Sequence, residues 1–102
     1  SYTGSRFAMH GLTSALALDL APKLRINSVA PGHVLTSDIL DAESLQRVQS
    51  ESPLGFGPSA RDVAESVAFL AKSSAITGQT IFVDSGERFR QMKKDPALDK
   101  GE

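Results

Sequence analysis

The chain has 102 residues and a formal net charge of −1 at pH 7. That length holds at most one small domain, and so balanced a charge gives no electrostatic footing for nucleic acid or an anionic membrane. There is no cysteine, which excludes disulfide staples, thiolate nucleophiles and cysteine-based zinc sites.

The longest strongly apolar stretch, Leu12 to Ala21, contains Thr13, Ser14 and Asp19 and is too short to span a bilayer. No basic segment followed by an apolar run and a small-residue cleavage site is present, so a cytoplasmic protein is expected. The chain opens on Ser1 rather than Met, and a longer polypeptide is expected to contain it.

A first helix is predicted from about Thr3 to Ala21. Phe7, Ala8, Met9, Leu12, Ala15, Leu16, Leu18 and Leu20 make it apolar nearly all round, a pattern that calls for burial on more than one side. Its main polar stripe is Tyr2, Arg6, His10 and Thr13, at i, i+4, i+8 and i+11. On a helix Tyr2 and Arg6 stand one above the other. A fixed cation beside a phenol stabilises the phenolate and suits it to proton exchange nearer neutral pH. Pro22 is expected to stop the helix.

Leu24 to Ala30 reads as a strand ended by Pro31-Gly32. A loop at the carboxyl end of a strand is where open parallel sheets bind ligands. From His33 to Pro58 the pattern is weak. Ser37-Asp38 is a possible helix start, Leu40, Leu45 and Val48 give a broken helical period, and residues 53–58 form a loop. A lid and a plain surface excursion both fit this segment. Ser59-Ala60-Arg61-Asp62 matches a capping box with Asp62 in place of the usual Glu or Gln. The helix it opens runs from Ala60 to Lys72, with Val63, Val67 and Leu70 inward and Arg61, Asp62 and Glu65 in water. Thr80 to Val83 is a second strand. Residues 87–102 read as a polar, flexible tail.

Three blocks resemble the short-chain dehydrogenase/reductase family. Tyr2-Thr3-Gly4-Ser5-Arg6-Phe7-Ala8-Met9-His10-Gly11-Leu12-Thr13 is similar to its catalytic helix. Arg25-Ile26-Asn27-Ser28-Val29-Ala30-Pro31-Gly32-His33-Val34-Leu35-Thr36 is similar to the strand and cofactor loop that follow. Ile76-Thr77-Gly78-Gln79-Thr80-Ile81-Phe82-Val83-Asp84-Ser85-Gly86 is similar to the closing strand. The run Asp84 to Phe89 also resembles the pteridine-reductase-like branch. The resemblance implies an α/β fold, the C-terminal part of a doubly wound Rossmann-like parallel sheet over residues 1–86, with two helices and two strands recognisable.

It also implies roles. Tyr2 is the expected acid/base toward a carbonyl or alcohol, and Arg6 the expected cation that biases Tyr2 and binds the nicotinamide ribose of NADP or NAD. Pro31 and Gly32 are expected to shape the turn beside the nicotinamide, with Val34 offering backbone groups to its carboxamide and Thr36 its hydroxyl to the carboxamide or a phosphate oxygen. A small carbonyl or alcohol substrate and a homo-oligomer follow from the same resemblance.

The chain departs from the family pattern at four points. Arg6 replaces lysine, which keeps the charge and loses any proton relay through an ammonium. The glycine-rich phosphate loop is not in this sequence. The family's catalytic serine and asparagine precede the tyrosine and also lie outside it. Ser85 stands where a second glycine is usual. These departures motivate a second reading, a shortened, non-catalytic relative that serves as an oligomerisation or partner-binding module. His10 reads as a polar residue of the helix surface or a subunit contact, and His33 as a partly exposed loop residue with cofactor or substrate contact as the alternative. Their spacing suits no metal site.

Overall fold

The computed structural model describes residues 2–32 and 42–93. The element order is α1 (Tyr2–Leu20), β1 (Ser28–Pro31), α2 (Ala42–Ser50), α3 (Ala60–Lys72), β2 (Thr80–Val83) and α4 (Glu87–Lys93). Among the described residues there is one sheet, in which β1 and β2 pair in parallel with Ser28 opposite Thr80 and Pro31 opposite Val83. The fold is α/β, as expected.

Strand side chains alternate between the two faces of a sheet, and the two faces here have different partners. On one face α1 crosses β1 and β2 through polar contacts. His10 Nδ1 lies 2.9 Å from Thr80 Oγ1, and Thr80 Oγ1 lies 2.9 Å from Ser28 Oγ. Thr13 Oγ1 is 3.2 Å from Ser28 Oγ and donates to the Met9 carbonyl at 2.8 Å. On the other face α3 lies across both strands and buries Leu70. Val29, Val67, Leu70 and Ala71 line a groove there of about 410 Å³.

Several boundaries differ from expectation for identifiable reasons. The first helix is nearly as predicted, Tyr2 to Leu20. Its burial is not. Thr13 and Ala17 are the buried residues, whereas Phe7, Met9, Leu12 and Leu18 are exposed. Two strands are too narrow to cover more than one side of so apolar a helix.

β1 begins four residues later than predicted. Leu24 to Asn27 forms no strand: Leu24 N bonds back to the Leu20 carbonyl, and Arg25 to Asn27 bond to the loop before β2. The Ile26 carbonyl accepts from Gly78 N at 2.7 Å. Arg25 donates to the carbonyls of Leu70, Ala71 and Ile76, and Asn27 binds the Ile76 carbonyl and the Gln79 amide. Pro31 belongs to the strand instead of ending it. Ser28 and Gly32 donate toward β2, so the odd position between them points its nitrogen to the unpaired edge, where proline's missing N–H costs nothing.

Within the weakly patterned region, α2 carries Leu45 and Val48 half-buried. The helix start considered at Ser37-Asp38, together with Leu40 and Asp41, lies outside the described residues. The expected tail is corrected at its beginning, because Glu87–Lys93 is helix α4, which packs beside α1.

Two local designs are clear in the backbone. At the start of α3 the capping box is complete: Ser59 Oγ accepts from Asp62 N at 3.1 Å, and Asp62 Oδ2 accepts from Ser59 N at 2.9 Å. These bonds favour the carboxylate and hold the Asp62 pKa below its ordinary 3.8. After β2, Ser85 takes φ +54 and Gly86 φ +84. The left-handed region suits glycine and penalises a residue with a Cβ, which is why serine at position 85 carries a cost.

Replacing Ser59 with Ala should lower stability by about 1 kcal/mol in urea unfolding at neutral pH. Asp62 has a depressed folded pKa, so its contribution is present above 3.8 and fades as pH falls through the lower folded value; an Asp62→Asn variant should lose this acid-side dependence. Ser85→Gly should raise stability by roughly 0.5–1 kcal/mol, the left-handed strain less the glycine entropy, read as a higher melting temperature.

Candidate active site

The site is built where β1 and β2 end side by side. Gly32 N donates to the Val83 carbonyl at 3.1 Å, which carries the ladder one residue beyond β1. Directly across stands Asp84. A Cβ on Gly32 would meet Asp84 Cα and Cβ at 3.1 Å and Glu87 Oε2 at 3.3 Å. The Pro-Gly turn therefore has a specific steric cause: the end of β2 is pressed against it.

Asp84 is 2% exposed and organises the turn into α4. Its Oδ1 accepts from Gly86 N at 3.0 Å and from Arg88 Nη1 at 3.3 Å, and its Oδ2 accepts from Arg88 N at 3.1 Å. A buried carboxylate needs such donors to offset its lost hydration. The Arg88 guanidinium then stacks over the rings of Phe82 and Phe89, at 4.3 and 4.1 Å from their centroids, a favourable cation–π arrangement.

The loop after α2 closes against the same turn. Leu54 N donates to the Ser85 carbonyl at 3.2 Å, and Glu51 pairs with Arg90 at 2.8 Å. Pro53 lies so close to Gly86 that a Cβ there would meet its ring at 3.1 Å. Between this loop and the turn is an open hollow of about 510 Å³, lined in part by Leu54, Phe56, Phe82, Arg88 and Phe89.

Three contacts give the direction of α1 relative to the strands. Ala17 touches the Gly78 position, Thr13 is beside Ser28, and His10 reaches Thr80. Moving toward the N-terminus of α1 thus moves toward the carboxyl ends of the strands. Positions 2 and 6 continue the helical row of 10, 13 and 17. Tyr2 and Arg6 belong to the first two turns of this helix.

Of the residues singled out in the sequence, Pro31 and Gly32 lie at the carboxyl end of β1, and Tyr2 and Arg6 lie in the first two turns of α1. Val34, Thr36 and His33 lie outside the described residues. His10 is exposed and bonded to Thr80. Asp84, Glu87 and Arg88 were missed as site residues. Asp84 sat in the closing block, but nothing in a seven-residue polar helix signals that Glu87 is buried.

For a nicotinamide coenzyme the fit is partial and specific. The glycine at the strand end and the backbone turn around it leave room for the close approach of a flat ring. Among the described residues no cluster of three or more His, Cys, Asp or Glu is placed to hold a metal, and no helix is long and apolar enough to cross a membrane.

Comparison with known proteins bears on this geometry. A family model described as Enoyl-(Acyl carrier protein) reductase matches residues 1–87. The dihydromonapterin reductase of Citrobacter koseri is 31% identical over 90 residues, which is 88% of this chain and 38% of that protein. The crystal structure of FolM Alternative dihydrofolate reductase 1 from Brucella canis, complexed with NADP, superposes with a TM-score of 0.77 at 35% identity, covering 86% of this chain and 35% of that one. A small-chain dehydrogenase in complex with NADPH gives a TM-score of 0.65 at 34% identity, covering 80% and 40% of the two chains. The chain thus spans under two fifths of the length of the curated relative. Sequence blocks, strand-end geometry and these likenesses agree on one assignment: the chain belongs to the short-chain dehydrogenase/reductase family.

Proposed function

We propose that this chain carries the proton-transfer and nicotinamide-facing part of an NADP(H)-dependent reductase. What supports the reading is the Pro31-Gly32 turn at the carboxyl end of β1, together with the Tyr2–Thr13 block that opens α1 and the likeness to NADP-bound relatives.

The coenzyme, when bound, supplies hydride from C4 of its nicotinamide ring. Tyr2 gives its phenolic proton to the carbonyl oxygen as hydride reaches the carbonyl carbon, so the product is an alcohol; in the reverse direction it takes that proton back. Arg6 keeps a positive charge near the phenol and stabilises the phenolate left behind. It also offers hydrogen-bond donors to the ribose hydroxyls. Pro31 and Gly32 set the backbone against which the ring lies, and Val34 and Thr36 are assigned its carboxamide. The pyrophosphate is left to the glycine-rich part that such reductases carry elsewhere in the domain.

The names of the dihydromonapterin reductase and FolM relatives support a pterin-type ring as the substrate. Hydride would then reach a ring C=N carbon and the proton its nitrogen. The hollow beside Phe56, Phe82 and Phe89 offers flat apolar surface suited to such a ring. A homo-oligomer belongs to the same reading, with the exposed apolar faces of α1 as contact surfaces. The non-catalytic module has no observation of its own in its favour, since the rest of a family domain would cover the same faces.

The test is NADPH oxidation by a polypeptide in which this chain is joined to the glycine-rich part of the domain, with carbonyl and dihydropterin compounds as substrates. Tyr2→Phe should cut kcat by roughly 10²–10⁴-fold, the usual worth of a positioned acid, while NADPH affinity measured by fluorescence stays nearly constant. Unchanged turnover would reject the role of Tyr2. Arg6→Lys should retain turnover, because the charge is kept.

A further inference from the structure

The hollow beside α4 contains a guanidinium that the fold fixes in place without using all of its donors. Arg88 lies over the rings of Phe82 and Phe89, 4.3 and 4.1 Å from their centroids, and its side chain stays 31% exposed. Its Nη1 donates to Asp84. Among the described residues, Nε and Nη2 meet no acceptor. A guanidinium has five N–H donors in one rigid plane. Held against two rings, it has little freedom left to lose when a ligand accepts from it.

The rest of the lining decides which ligand fits. Phe56, Phe82 and Phe89 supply flat apolar wall, and two carboxylates line the same hollow. Asp84 is buried with both oxygens bonded. Asp62 is exposed, with Oδ2 accepting from Ser59 N. Two carboxylates against one guanidinium oppose an anion. A hydrocarbon would cover the spare Arg88 donors and give them nothing to bond, which is costly. A neutral flat ring with a carbonyl on its edge answers both the walls and the donors.

We propose that Arg88 is a specificity-determining residue: the spare edge of its guanidinium donates to the 4-oxo oxygen of a pterin-type ring stacked against the phenyl walls. A ring with an amino group at that position sets a donor against a donor, and the site rejects it. This inference rests on the reading of a pterin-type ring as the substrate.

The test is calorimetric binding of pterin and of 2,4-diaminopteridine at neutral pH, without coenzyme, to the joined polypeptide described above. The unsubstituted protein should bind pterin about tenfold or more tightly than the diamino compound. Arg88→Met keeps an apolar stem over the rings and removes the donors. It should weaken pterin binding about tenfold, leave the diamino compound within about twofold, and so abolish the preference. Arg88→Lys, which keeps the charge and loses the planar fork, should recover part of it. The unchanged affinity for the diamino compound reports that the hollow is still folded. A preference that survives Arg88→Met, an equal loss for both compounds, or no binding of pterin by the unsubstituted protein would overturn the proposal. Binding needs neither coenzyme nor turnover, so a failure of NADPH oxidation would count against the proposed function and leave this result standing.

Discussion

The buried carboxylate of Asp84 is the interaction on which the corner of this fold depends. It sits where β2 ends, and three donors converge on it from the next four residues. Those bonds force the chain to turn through two left-handed residues and start α4 beside the end of β1. Because Asp84 and Glu87 occupy that space, a Cβ on the residue across the ladder would be crowded at 3.1–3.3 Å, which favours glycine there. A backbone free of side chain at a strand end is in turn what lets a flat ring approach closely. A steric constraint and a binding opportunity thus have the same cause.

The second constraint is polar. α1 is held on the sheet by a row of hydroxyls and one imidazole, Thr13, Ser28, Thr80 and His10, where a helix on a sheet usually relies on apolar interdigitation. Directional bonds fix axial position better than apolar contacts do, which can slide at little cost. The height of α1 over the strands decides how far past the strand ends its first two turns reach, and those turns carry Tyr2 and Arg6. The apolar remainder of α1, by contrast, faces outward, as does the unpaired edge of β1. Parallel sheets are normally covered on both faces, so these surfaces suit the rest of a doubly wound domain.

The extended stretch before β1 shows how a loop can be held as firmly as a strand. Arg25 answers the last carbonyls of α3 and the Ile76 carbonyl together. Helix ends leave such carbonyls unsatisfied, and a guanidinium with five donors can serve several at once. Asn27 does the same work for the loop that leads into β2. These two side chains join α3, the loop and β1 without any strand pairing.

Signals written within a few neighbouring residues were legible in the sequence. Helical periodicity and Pro22 bounded α1, Ser59 and Asp62 announced α3, and the apolar run at Thr80 gave β2. The Tyr2–Thr13 block, the Pro31-Gly32 block and the closing block marked the family. What the sequence could not state depends on contacts between distant segments. Leu24 to Asn27 has strand-like composition, but Arg25 to Asn27 bond to a loop some fifty residues away. Pro31 is tolerated in β1 only because its nitrogen faces an open edge. Glu87 looks like the start of a solvated tail until α4 folds back beside α1 and sets its carboxylate on Gly32. Local propensity determined which helices and strands form and which chemistry the chain carries; the tertiary structure alone decided which charges are buried together, because burial is a property of what packs against a residue and not of its neighbours in the chain.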